Sequence, residues 1–136
     1  MAVSNAPTVV GFDASAALTA AREMAGDALH IAIEYDTTEF NALYVDERTV
    51  ALYGDEESML DHFAEVHSYV HVDFTEQQMF EDILYAAGGV RAFTAHMDHV
   101  TAVRVLVGQE GLFLALDPDA PVASVIEAVE DVLDGD

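Results

Sequence analysis

VRAFTAHMDHVTAVRVLVGQEGLFLALD, residues 90–117, is the stretch whose reading decides the fold. Its apolar residues alternate with small and polar ones at the two-residue period of a half-buried strand. Asp98-His99 interrupts the pattern once and GQEG, residues 108–111, interrupts it again. Each break is short enough for a hairpin turn, so the run predicts three sequential antiparallel strands.

The same pattern occurs earlier in LHIAIEYDTTEFNALYV, residues 29–45. Leu29, Ile31, Ile33 and Tyr35 alternate with His30, Ala32 and Glu34; DTTE is the turn, and FNALYV the returning strand. ERTVALYG, residues 47–54, fits either a third short strand or a helical turn. Helical spacing takes over elsewhere. DASAALTAAREMAG, residues 13–26, starts at a capping aspartate and stops at a glycine, with Leu18, Ala21 and Ala25 on one face. In DEESMLDHFAEVHSYV, residues 55–70, Asp55 is the cap and Met59, Phe63, Val66 and Val70 form the apolar stripe. VDF reads as a break, and Thr75 with Gln78 as a capping box for a further helix with Phe80, Ile83 and Leu84 on its apolar face, ended by Gly88-Gly89. The last helix enters through Pro121 and carries Val122, Val125, Ile126, Val129 and Val132/Leu133. The order α-β-β-α(α)-β-β-β-α predicts an α+β domain, a five-stranded antiparallel sheet with helices packed on it. At 136 residues the chain is one domain, 1–136, with about residues 1–12 expected as a flexible N-terminal segment.

Composition narrows the function. There are 26 acidic residues, four arginines and no lysine, for a net charge of −22. The acids are interleaved with Val, Leu, Ile and Phe, so the charge belongs to a folded surface rather than to a disordered tail. Such a surface repels itself at low salt and is relieved near 1 M salt, where the Debye length falls to ~3 Å. A salt-accumulating cytoplasm is therefore the expected habitat. Scattered arginines do not make a phosphate-binding patch, so nucleic acid is not an expected partner. The N-terminus lacks the basic and apolar regions of a signal peptide, and no stretch approaches the ~20 apolar residues that span a bilayer. A soluble, cytoplasmic protein with no membrane partner is expected.

Chemistry is sparse. With no cysteine there are no disulfides and no thiolate metal sites. No P-loop, dinucleotide fingerprint or nucleophile elbow occurs, so no catalytic residue and no cofactor is assigned. The densest cluster is DHFAEVHSYVH, residues 61–71, with His62, His67 and His71. On one helix only His67 and His71 point the same way. They are weak candidates for a metal pair, with His96, His99 and Asp98 as distant additional ligands. The plainer reading is a histidine-rich polar border. Arg91 and Arg104 fall in strands, where an ion pair with one of the many acids is expected.

Two resemblances add to this. IEYDTTEFNALYVDERTVALYGDEESMLDHF (33–63) and FEDILYAAGGVRAFTAHMDHVTAVRVLVGQEGLFLALDP (80–118) resemble a family of small haloarchaeal proteins of unknown function. The element order, with GLFLALDPDAPVASVIEAVEDVL (111–133), also resembles roadblock-type dynein light-chain domains and, more loosely, longin and profilin-like folds. The latter resemblance implies a non-enzymatic interaction module that dimerises through sheets or helices. In that order FNALYV and VRAFTAHM are the sheet edges, which makes Asn41, Leu43, Arg91 and Phe93 the interface candidates for a homodimer, with a further protein partner open. The alternative is a sensor domain holding a small molecule or metal between sheet and helices; an unrecognised enzyme, such as a hydrolase, comes third.

Overall fold

The computed structural model describes residues 2–134. Its sheet has strands β1 (Val3–Ser4), β2 (Leu29–Tyr35), β3 (Phe40–Val45), β4 (Ala92–His96), β5 (Thr101–Val107) and β6 (Glu110–Leu116). The helices are α1 (Ala14–Ala25), α2 (Glu47–Tyr53), α3 (Glu56–His67), α4 (Val70–Ile83) and α5 (Val122–Asp134). The strands pair antiparallel in the order β1-β3-β2-β6-β5-β4. The meander read from residues 90–117 forms one half of the sheet, and β2 joins it to the other half through β6.

Six strands replace the expected five. The extra one lies in the segment expected to be flexible. Val3 and Ser4 pair with Val45 and Tyr44, and Val3 is buried. Residues 2–12 therefore do not trail outside the fold; Met1 lies outside the described residues. A two-residue strand leaves almost no periodic trace in a sequence, which is why pattern reading passed over it. One consequence is that FNALYV is not a sheet edge, because β1 covers it.

One face of the sheet carries α1 and α5. Small side chains on α1 (Ala14, Ala17, Ala21) let it lie close to α5, whose Val125 and Val129 are fully buried with Leu112, Leu114 and Leu116 of β6. The α1 boundaries match the caps read from sequence: Asp13 accepts the Ala16 N–H at 3.0 Å, and Gly26 takes φ +58°, a conformation that favours glycine. Leu18 and Ala25 sit only at the margin of this core.

The opposite face is divided. Over β1, β3 and β2 lie α2 and α3, with Val45, Met59 and Phe63 at the centre of a second cluster. The ambiguous ERTVALY is helical because Asp46 caps it, accepting the Thr49 N–H at 2.9 Å. Asp55 caps α3 in the same way through the Ser58 N–H at 2.7 Å. The chain turns at Ser68 and Tyr69, and α4 then runs unbroken through VDF. Thr75 does not cap a new helix; its hydroxyl donates to the His71 carbonyl at 2.9 Å, within α4. The expected apolar face of α4 is not buried either. Phe80, Ile83 and Leu84 are exposed, and α4 contains no buried residue.

The alternation read in β2 is also interrupted. A register shift between Leu29 and Ile31 sends Leu29 to the α1/α5 core while Ile31 and Ile33 face the other way.

Candidate functional site

Beyond Phe63 the helices α3 and α4 arch over the sheet and leave a cavity of about 420 Å³. Its floor is Ile31, Ile33 and Tyr35 of β2, Arg104 of β5 and Phe113 of β6. Its roof is contributed by His62, Phe63, Val66 and His67 of α3 and by Tyr69, Val70 and Asp73 around the start of α4, with Phe40 and Tyr53 at the side. This size and apolar character fit a small-molecule pocket.

One polar chain crosses this space. The Tyr35 hydroxyl donates to Asp73 at 3.0 Å, and the other Asp73 oxygen pairs with Arg104. Burial and the adjacent Asp73 charge push the Tyr35 hydroxyl pKa far above its ordinary value, so it stays a donor. The Tyr35 ring lies against Gly111. A Cβ at that position would come within 2.4 Å of the Tyr35 ring carbon, so only glycine admits the ring. The Arg104 guanidinium also sits 4.9 Å from the centre of the Phe93 ring, which meets Phe80 at 5.7 Å. The ion pair expected of Arg104 is thus present, and Arg91 pairs with Glu130 of α5 at 3.5 Å.

The histidines separate. His62 Nδ1 lies 2.7 Å from the Tyr53 hydroxyl, and His67 Nε2 lies 2.9 Å from the Asp36 carbonyl. A carbonyl only accepts, so His67 carries its proton on Nε2. The turn at 68–69 parts His67 from His71, which is exposed, and His96 and His99 are exposed on and after β4. Among the described residues no three His, Asp or Glu side chains converge on a place for a metal ion. Of the interface candidates, Leu43 is buried in the core, and Asn41 donates to the Ala6 carbonyl and to Glu34 at 2.9 and 2.7 Å. β1 occupies the edge they were read to form. Phe93 and Arg91 remain beside the open edge, β4.

Two polar arrangements, one buried and one half-buried, left no motif in the sequence. Glu34 is fully buried on β2, and its carboxylate accepts the N–H groups of Thr8, Val9 and Val10 at 2.6, 3.1 and 3.0 Å. That carboxylate holds residues 8–10 on the sheet, beyond the pairing of β1 with β3. His30, at the β2 irregularity, spans Asp46 and Asp117, each at 2.6 Å. Burial opposes charge on the ring, but the bonds and charges of Asp117 and Asp46 outweigh it and raise the His30 pKa above 6.5. The charged imidazole donates from both nitrogens and ties β2 to the ends of β3 and β6.

Exposed apolar side chains gather in one region. Of the twelve large exposed hydrophobic residues among those described, nine lie between Val66 and Met97. Val72, Met79 and Ile83 recur at i, i+7 and i+11 along α4, one stripe facing away from the sheet. A scatter of single exposed side chains would need no explanation, whereas a stripe of them along one helix does.

A family model for a domain of unknown function, DUF7522, matches residues 15–134. The chain belongs to the DUF7522 family. No curated protein matches this DUF7522 chain. Among solved structures, a Roadblock/LC7 domain from Streptomyces avermitilis is similar, with a TM-score of 0.52 at 11% sequence identity, over 79% of this chain and 82% of that one. The likeness is one of fold: an antiparallel sheet with helices, roadblock-like. Among the described residues no helix is long and apolar enough to cross a membrane.

Proposed function

We propose that this DUF7522 protein is a non-enzymatic interaction or regulatory module of a halophilic cytoplasm, working as a homodimer. The carrying observation is the unpaired β4 edge, with Phe80 of α4 against Phe93 of β4 and an exposed apolar stripe on the same helix. β4 reads Ala-Phe-Thr-Ala-His, with no carboxylate in a chain that has 26 of them. Nothing on that edge repels a second copy, and antiparallel pairing of β4 with its own copy makes a closed two-fold dimer. The exposed α4 stripe is further apolar surface that a monomer leaves in water and a second copy can cover. The roadblock-like fold supports the reading, as does the lack of any catalytic motif in the sequence.

Sedimentation at ~2 M KCl and about 100 μM protein tests it. A dimer is expected, dissociated by Ala95→Asp in β4 or by Ile83→Asp in α4. A wild-type monomer under those conditions overturns the dimer. The halophilic part is read from circular dichroism over a KCl series. Folding is expected to require salt, and equal stability at ~0.05 M and ~2 M KCl overturns it.

A further inference from the structure

We propose that the cavity between the sheet and α3–α4 binds a small organic ammonium ion carrying an apolar or aromatic body. Protein interiors are close-packed, yet here α4 buries no side chain and an apolar space of about 420 Å³ lies at its start. Ile33, Phe63 and Phe113 line that space, which no side chain of the protein fills. An occupant of matching shape supplies the missing contacts, so the cavity favours a ligand with an apolar body.

The sign of the ligand's charge follows from the walls. The chain has five tyrosines and seven phenylalanines. Six of these twelve rings, Tyr35, Phe40, Tyr53, Phe63, Tyr69 and Phe113, line this one space. Aromatic faces attract ammonium groups, and a cage of several rings selects bulky, weakly hydrated ones over simple hydrated ions. The fixed charges agree. Arg104 is paired by Asp73, and Glu76 lies 3.9 Å from the guanidinium, so two carboxylates attend one cation. Among the arginine and acidic side chains that line the space, Arg104 and Asp73 neutralise each other, so no net fixed charge there opposes an ammonium group. An anionic ligand would meet the Asp73 carboxylate and the electron-rich ring faces, with Arg104 already paired; a neutral one would gain the packing but not the ring electrostatics. The inference is independent of the dimer, because α4 meets the cavity with Val70 and Asp73 and carries its exposed stripe on Val72, Met79 and Ile83.

The probe is benzyltrimethylammonium, titrated into the full chain at ~2 M KCl and followed by methyl and aromatic NMR shifts and by the melting temperature. Its neutral and anionic counterparts are 2-phenylethanol and phenylacetate. Saturable binding is expected, with shifts at Ile33, Phe63 and Phe113, a raised melting temperature, and at least about tenfold weaker binding of both counterparts. Val70→Phe, which fills the cavity from its roof, is expected to abolish binding while the circular dichroism of the fold persists. Tyr69→Ala, at the exposed rim, keeps the test open if Val70→Phe does not fold, and is expected to weaken binding severalfold. Equal or tighter binding of phenylacetate or 2-phenylethanol overturns the charge assignment. Absence of saturable binding, or binding untouched by the cavity variants, overturns the site. Shifts at Ile33 and Phe113 that track protein concentration rather than probe would show a second copy as the occupant and overturn it as well.

Discussion

Replacing Glu34 with glutamine should destabilise this protein almost as much as deleting the side chain. The carboxylate is fully buried and accepts three backbone N–H groups, from Thr8, Val9 and Val10, together with the Asn41 amide. All four partners are donors. An ionised carboxylate offers only acceptors, so every pairing is satisfied. Glutamine keeps the shape but turns one oxygen into an NH₂ group. Whichever way it flips, that group meets donors: Thr8 and Asn41 on the Oε2 side, or Val9 and Val10 on the Oε1 side. Two donors lose their acceptor, and an orphaned buried polar group costs about 1–3 kcal/mol. The expected loss for Glu34→Gln is therefore about 2–4 kcal/mol, and for Glu34→Ala about 3–5 kcal/mol, held down by water reaching residues 8–10. Urea melts at ~2 M KCl give the free energies. Hydrogen exchange gives the location: amides of Thr8, Val9 and Val10 should lose protection before the amides of β2 and β6. A Glu34→Gln variant within about 0.5 kcal/mol of the parent, with those three amides still protected, would refute the reasoning.

Three further outcomes follow from other parts of the structure. The His30 pKa is raised in the fold, so the charged His30 bridge contributes its full stabilisation below the unfolded value near 6.5 and loses it as pH climbs through the folded value. The Asp46 pKa is lowered, so its share is present above the ordinary 3.8 and fails as pH falls below that. Melting temperature should thus decline on the alkaline side of 6.5, and His30→Ala should remove that decline; a parent melt flat from ~pH 6 to ~pH 9 would contradict the bridge. Phe63→Ala removes a buried ring set edge-on to Tyr53 at 5.9 Å and should cost about 3–5 kcal/mol, with a loss below ~1 kcal/mol showing that α3 does not anchor that half of the sheet. Gly111→Ala places a methyl where the Tyr35 ring lies, so the ring must move; near-ultraviolet circular dichroism should change, and an unchanged spectrum with unchanged stability would contradict the contact.

Local features of the sequence determined most of the secondary structure. The period-two runs at 29–45 and 90–117 are strands because alternate residues face a core, and that constraint is written residue by residue. Asp13 and Asp55 start helices because an N-cap is a contact across three residues. Ion pairs for Arg91 and Arg104 were legible from packing cost alone, though not their partners, Glu130 and Asp73. Tertiary structure decided what depends on distant residues. Glu34 reads as the polar face of an alternating strand until residues 8–10 close over it. His30 reads likewise until a register shift turns it between Asp46 and Asp117, 16 and 87 residues away. Thr75 and Gln78 have the spacing of a helix start, but capping also requires an extended backbone at Thr75, and α4 runs straight through it. Val72, Met79 and Ile83 of α4 keep helical spacing and are nonetheless exposed. Periodicity states that a helix has an apolar face, whereas burying that face requires a surface opposite it, and within one copy of this chain only Phe80 of the face read from sequence meets a ring of the sheet, Phe93.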